Sequence, residues 1–125
     1  MLKLTYSDAD VSVDYLDCSV EAVVAQRSIV AVRAGRPLTV ESGYGSFTLP
    51  ADLPGMADLK TRGRGAIDIA PCDDTWLEVT LAGAWLADGS HSTEGIFVAE
   101  LGPTLERQLV ALWQQSLGWV AAPCH

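Results

Sequence analysis

The feature that most constrains this chain is a stripe of apolar residues near its end. Leu105, Leu109, Leu112 and Trp113 fall at i, i+4, i+7 and i+8. That spacing sets them on one side of an α-helix. Pro103 suits the first turn and Gly118 stands where a glycine commonly ends a helix, so the pattern predicts a helix over 103–117. Glu106, Arg107, Gln108, Gln114 and Gln115 mostly take the other faces. A helix with one apolar stripe must bury it against a second layer.

The rest of the chain offers that layer mainly as strands. Leu2 to Tyr6 alternates apolar and polar residues, and so does Val11 to Tyr15. The polar stretch Ser7-Asp8-Ala9-Asp10 between them has turn chemistry, so the pair can form a hairpin. Pro37 to Glu41 and Ser46 to Leu49 read as short strands around a hairpin tip at Gly43-Tyr44-Gly45. Ala66 to Ala70, Trp76 to Leu81, a continuation over Ala84 to Ala87, and Gly95 to Leu101 complete the set. Asp88 to Ser92 is a predicted turn, and Leu49 to Gly65, with two prolines and three glycines, reads as loop.

One segment carries conflicting signals. Ser19 is a good N-cap, Glu21 sits in the first turn, and Arg33 precedes Gly35 in the manner of a helix end. Val23, Val24, Ile29, Val30 and Val32 are β-branched and would suit strands. The capping signals favour a helix over 19–34, apolar on most faces and so expected to be largely buried. Strands, a helix, more strands and a closing helix make an α+β pattern. It is read as an antiparallel sheet of about six to eight short strands with two helices packed on it, in a single domain.

Composition supports order and narrows the partners. Of 125 residues, 49% are hydrophobic and 19% charged, a balance that permits a real core. Eight Lys and Arg against sixteen Asp and Glu give a formal net charge of −8, which disfavours nucleic acid and anionic lipid. No stretch approaches the roughly 20 apolar residues of a spanning helix. The N-terminal segment lacks the apolar run of a signal peptide, and the expected compartment is the cytoplasm. Cys18, Cys72 and Cys124 are widely spaced, with no CxxC pair, so no disulfide framework or zinc set is expected. Cys18 and Cys72 are read as small, partly buried side chains.

Catalytic signatures fail residue by residue. The two histidines are His91, in a predicted turn, and His125, the last residue. Neither comes with a nucleophile motif. Asp8, Asp10 and Asp14 resemble a calcium loop, but Val13 stands where the glycine is needed and Ser19 where the bidentate Glu is needed. Asp73-Asp74 is read as a turn before a strand. No metal and no cofactor are expected, and the chain is read as a non-enzyme.

Two features remain as candidate sites. Lys60, Arg62 and Arg64 alternate with Gly63 and Gly65 close by, which suits an anion held by cations and backbone N–H groups. Arg27, Arg33 and Arg36 form a second basic group, the last two read as complements to a helix C-terminus. Of the four tryptophans, Trp76 and Trp113 are assigned to the core, and Trp119, placed after the closing helix, to a self-interface. The expected function is a non-enzymatic interaction or regulatory domain, with a protein partner or a second copy as its target.

Asp58-Leu59-Lys60-Thr61-Arg62-Gly63 followed by Ala66-Ile67-Asp68-Ile69, then Gly95-Ile96-Phe97-Val98 and a helix from Thr104, resemble the second half of PilZ domains. That resemblance implies a small β-barrel and, as the alternative function, a degenerate binder of a phosphorylated small ligand. Lys60 stands where the family has serine, and Arg27 and Arg33 do not match its Arg-x-x-x-Arg spacing. The stretch from Ala25-Gln26-Arg27 to Phe47-Thr48-Leu49-Pro50 is also similar to small uncharacterised cyanobacterial proteins, which implies no activity.

Overall fold

The computed structural model describes residues 1–8, 10–89 and 94–121, the last four by backbone alone. Its elements run β1 (Leu2–Tyr6), β2 (Val11–Tyr15), α1 (Val20–Arg33), β3 (Thr39–Pro50), α2 (Met56–Arg62), β4 (Ile67–Pro71), β5 (Trp76–Ala87), β6 (Gly95–Ala99) and α3 (Pro103–Ala121). The α+β class holds, with six strands in one antiparallel sheet and three helices among the described residues.

β5 organises the sheet. It pairs along its whole length with β3, from Pro50↔Trp76 to Thr39↔Ala87. Its other edge is shared end to end. β4 pairs with the first part, Leu77 to Leu81, and β6 with the second, Ala84 to Leu86. β6 continues to β1 and β1 to β2, which is an edge.

Alternation along these strands gives the sheet two faces. One face carries Leu2, Leu4, Phe47, Leu49, Val79 and Phe97, which form the main core with residues of α2 and α3. The α3 stripe meets it through Leu105, Leu109 and Leu112, all buried. Each such side chain contributes about 1.5–3 kcal/mol on leaving water. α3 also lays Arg107 over the Tyr15 ring of β2, 4.9 Å from its centroid.

The two glycines assigned to a hairpin tip lie in the middle of β3. Gly43 and Gly45 alternate with Phe47 and Leu49 on the inner face, opposite Gly83 and Leu81 of β5. A Cβ on Gly45 would come within 2.6 Å of the Phe97 ring, and one on Gly83 within 2.2 Å of the Val98 carbonyl oxygen. These glycines make room for rings. Phe97 is fully buried, 5.1 Å from Trp85 between centroids, and Trp85 is 5.3 Å from Tyr6. The Tyr6 hydroxyl donates to the Ser46 carbonyl oxygen and accepts from the Ser46 N–H at 2.9 Å. The Trp85 indole N–H donates to the Tyr44 carbonyl oxygen at 3.2 Å. β1 thus reaches β3 although β6 and β5 lie between them, so the sheet curls around the three rings. Trp85 rather than Trp76 supplies the central tryptophan: Trp76 is half-buried outside the core, and Trp113 packs at the core margin.

α2 lies inside the segment read as loop. Its signal was Leu53, Met56 and Leu59, three buried residues at spacing three, masked by the surrounding Pro and Gly. Gly118 does not end α3, which continues to Ala121. A glycine within a helix costs only about 1 kcal/mol and forces no stop.

Glu106 corrects the assignment of polar residues to exposed faces. It is buried, 3.2 Å from the Met1 ammonium, and its other oxygen accepts from the Leu101 N–H at 2.7 Å. The ammonium also donates to the carbonyls of Leu16 and Cys18. Each of its three protons has an acceptor, as a buried charge requires.

α1 covers the second face of the sheet. Ser19 caps it by accepting from the Ala22 N–H at 3.0 Å. Gly35, at φ 74°, closes it: the Gly35 N–H donates to the Val32 carbonyl and the Arg36 N–H to the Ala31 carbonyl. The helix is therefore as the caps predict, but it is not largely buried. Val20, Val23 and Val24 pack on a small cluster of Met1, Leu86 and Val98, and Ala31 alone is fully buried. That cluster is too small to cover more than one side of a helix. Cys18 and Cys72 are also exposed rather than partly buried, because both lie in turns outside the strands.

Gly45→Ala and Gly83→Ala are each expected to destabilise the chain by about 1–3 kcal/mol in urea melts. Adding Phe97→Leu recovers part of the first loss and little of the second, whose clash is with backbone. Burial holds the Tyr6 phenol above the usual tyrosine range; the Ser46 bond opposes this and the Glu78 charge adds to it. Its contribution to stability is complete below about pH 10 and is lost as pH rises through the higher folded value. Tyr6→Phe should cost about 1–3 kcal/mol at neutral pH and flatten the alkaline fall in urea-melt stability.

Candidate functional site

The Lys60–Gly65 cluster is only partly convergent. Lys60 and Arg62 belong to α2, Gly63 is its C-cap, and Arg64 and Gly65 lead into β4. Gly63 is buried because Ile67 packs where its Cβ would be, at 2.6 Å, and Gly65 takes φ 85°. Lys60, Gly63, Arg64 and Gly65 line a shallow depression of about 290 Å³ together with Asp68. Arg62 is not among its lining residues. Its Nε lies 3.2 Å from Asp58 Oδ2, one turn back, and the same oxygen accepts from Gln108 Nε2 of α3 at 2.9 Å. Two cations and one carboxylate are thus left to meet a ligand.

A larger cleft of about 900 Å³ lies between α1 and the sheet. Val23 and Val30 of α1 face Leu38, Leu86 and Ile96 across it. Lys3 and Arg27 stand at its rim with Asp88 and Glu94, so the charges offset one another. Sequence reasoning missed this cleft because its walls come from segments far apart in the chain.

The third feature is the outward side of α1. Ala22, Ala25, Ile29 and Val32 are all exposed, with Ile29 at 55% and Val32 at 71%. Val30, also exposed at 61%, lies on the cleft side of the helix instead. Large apolar residues scattered singly on a surface are ordinary, whereas here they recur along one helix. Glu21, Arg33 and Arg36 stand exposed at the two ends of this run. Among the described residues, no group of three or more His, Cys, Asp or Glu could hold a metal ion. No described helix is long and apolar enough to cross a membrane. Trp119 lies within α3 rather than after it, and its side chain is outside the described set. His91, Cys124 and His125 also lie outside the described residues.

These features define a small α+β protein with a curled antiparallel sheet, one sealed face and one half-covered face. The chain belongs to the Alr0857-like family, whose model matches residues 1–117. The match covers every strand and nearly all of α3. No match is found among the curated proteins, and none among the solved structures.

If the depression holds an anion, its affinity rests on Lys60 and Arg64. Calorimetry with inorganic phosphate and with cyclic dinucleotides is expected to show Arg62→Ala binding within about twofold of the original chain, and Lys60→Ala or Arg64→Ala weakened about tenfold. Equal losses in all three variants, or no heat at all, would sink that assignment.

Proposed function

We propose that this protein is a non-enzymatic interaction domain whose contact surface is the outward side of α1. The observation that carries this reading is the exposure of Ile29 and Val32, with Ala22 and Ala25, on a helix whose opposite side already packs on the sheet. A solvent-facing helix side is ordinarily polar, since polar residues hold their hydration and apolar ones gain by leaving water. Here Ala22, Ala25, Ile29 and Val32 run along one side, with Gln26 beside them and Glu21, Arg33 and Arg36 at its two ends, an apolar strip with a polar rim. The fold supports the surface from behind: Ser19 and Gly35 close both ends of α1, and the Val20, Val23 and Val24 side anchors it.

A second reading, a binder of a phosphorylated small ligand, has one observation in its favour. Lys60 and Arg64 share a depression with Gly63 and Gly65. Asp68 in the same depression works against an anion, so this reading stands second.

A photo-crosslinking residue placed at position 29 tests the first reading, with one at exposed Thr48 as control. In cells, position 29 should give a discrete adduct that disappears when Val32→Asp is added, and position 48 should give none. Equal labelling at both positions would remove the reading.

A further inference from the structure

We infer that the outward side of α1 pairs antiparallel with the same helix of a second copy of this chain. The inference rests on the interaction reading above and names its partner.

The argument begins with spacing. Ala22, Ala25, Ile29 and Val32 are separated by three, four and three residues. That is the a/d spacing of a coiled-coil seam, which stays on one side of a helix when two helices pack at a shallow angle. All four residues are exposed, so the seam is open.

The order of sizes selects the direction. The two alanines lie in the first half of α1 and the two large β-branched residues in the second. A parallel pair would stack alanine on alanine at one end, leaving voids, and crowd Ile29 and Val32 at the other. An antiparallel pair centred on residue 27 sets Ala22 against Val32 and Ala25 against Ile29 in both copies. Every layer then joins one small and one large side chain, which fills space without overpacking. Arg27, at the centre, lines the cleft behind the helix and leaves the seam clear.

The charges agree with the same direction. Asp17 and Glu21 lie at or just before the start of α1, and Arg33 and Arg36 at or just after its end, all four exposed. Antiparallel pairing brings each acidic end level with the basic end of the other copy. A parallel pair would set acid beside acid and Arg beside Arg. The arrangement is self-complementary about one twofold axis, as a cyclic dimer requires. It also sets helix ends of opposite sign level with one another on a chain whose net charge of −8 otherwise repels a copy of itself. One helix pair gives a small contact, so the dimer is expected to exchange rapidly.

Sedimentation velocity of the full chain, carried up to about 1 mM because small interfaces are weak ones, tests this. The expected result is a concentration-dependent shift from monomer to dimer. Ile29→Glu should weaken it at least about 30-fold, since the acid would be desolvated in the seam twice per dimer. Val32→Asp, which sets a charge against Ala22 of the other copy in each outer layer, should weaken it about tenfold. Circular dichroism melts verify that each variant is folded; the Val32→Asp variant, at a position 71% exposed, keeps the test open if Ile29→Glu fails to fold. A chain that stays monomeric overturns the inference, and so does a dimer indifferent to Ile29→Glu and to Val32→Asp. The crosslinked adduct separates the two readings. Twice the chain mass supports self-pairing; any other discrete mass overturns self-pairing and leaves the interaction reading standing.

Discussion

The three rings of Tyr6, Trp85 and Phe97 are the contact on which the rest of this fold depends. They sit where the inner faces of β1, β5 and β6 meet, and the glycines of β3 and β5 are absent side chains that admit them. Without Gly45 the Phe97 ring has no place, and without the rings the notch is a void. The polar ends of Tyr6 and Trp85 satisfy backbone groups of Tyr44 and Ser46 on the edge of β3 that faces away from β5. Packing and hydrogen bonding therefore act at one point. A sheet of six strands curls there, and the curl gives α2 and α3 a concave face to fill.

The opposite face follows from the same geometry. β5 and β6 present Leu86 and Val98 to it, and Met1 adds a third buried apolar side chain. This is enough to hold one side of a fourteen-residue helix and no more. α1 is thereby anchored yet left with an apolar exterior, which polar residues would otherwise occupy. Its exposed side is a consequence of unequal faces, and it is where an interaction domain would meet its partner.

Much of this architecture is legible in the residues. The Leu105–Trp113 stripe identifies α3, the Ser19 and Gly35 caps identify α1 against its β-branched content, and the alternation in β1, β2 and β5 identifies strands. Each of these signals is local, and local spacing is what a sequence displays directly. The misread elements depend on distant partners. Gly43 and Gly45 look like a turn until Phe97 is known to lie across from them. Glu106 looks like a surface residue until the Met1 ammonium is placed beside it. α2 hides among Pro54, Gly55 and Gly63, and its three apolar residues gain meaning only once α3 covers them. At the candidate anion site, Lys60, Arg62 and Arg64 look equivalent as a string. A seven-residue helix turns Arg62 towards Asp58 and away from the others. The outward side of α1 could be read as apolar, but not as exposed, since exposure depends on how little of the sheet lies beneath it.

The pairing of β1 with β6 has a consequence for how the chain reaches this state. Leu2 lies against Ala99 and Tyr6 against Gly95, so the first described strand pairs with a strand about 90 residues further along the chain. On a ribosome, β1, β2 and α1 emerge long before the strand that ties them to the sheet. Until then they have only the β1–β2 hairpin and helix caps to hold them, and a two-stranded hairpin alone is marginal in water. Contacts between distant parts of a chain also form slowly, because the loop between them must first close. The apolar side of α1 is thus made before the strands that anchor the helix from behind.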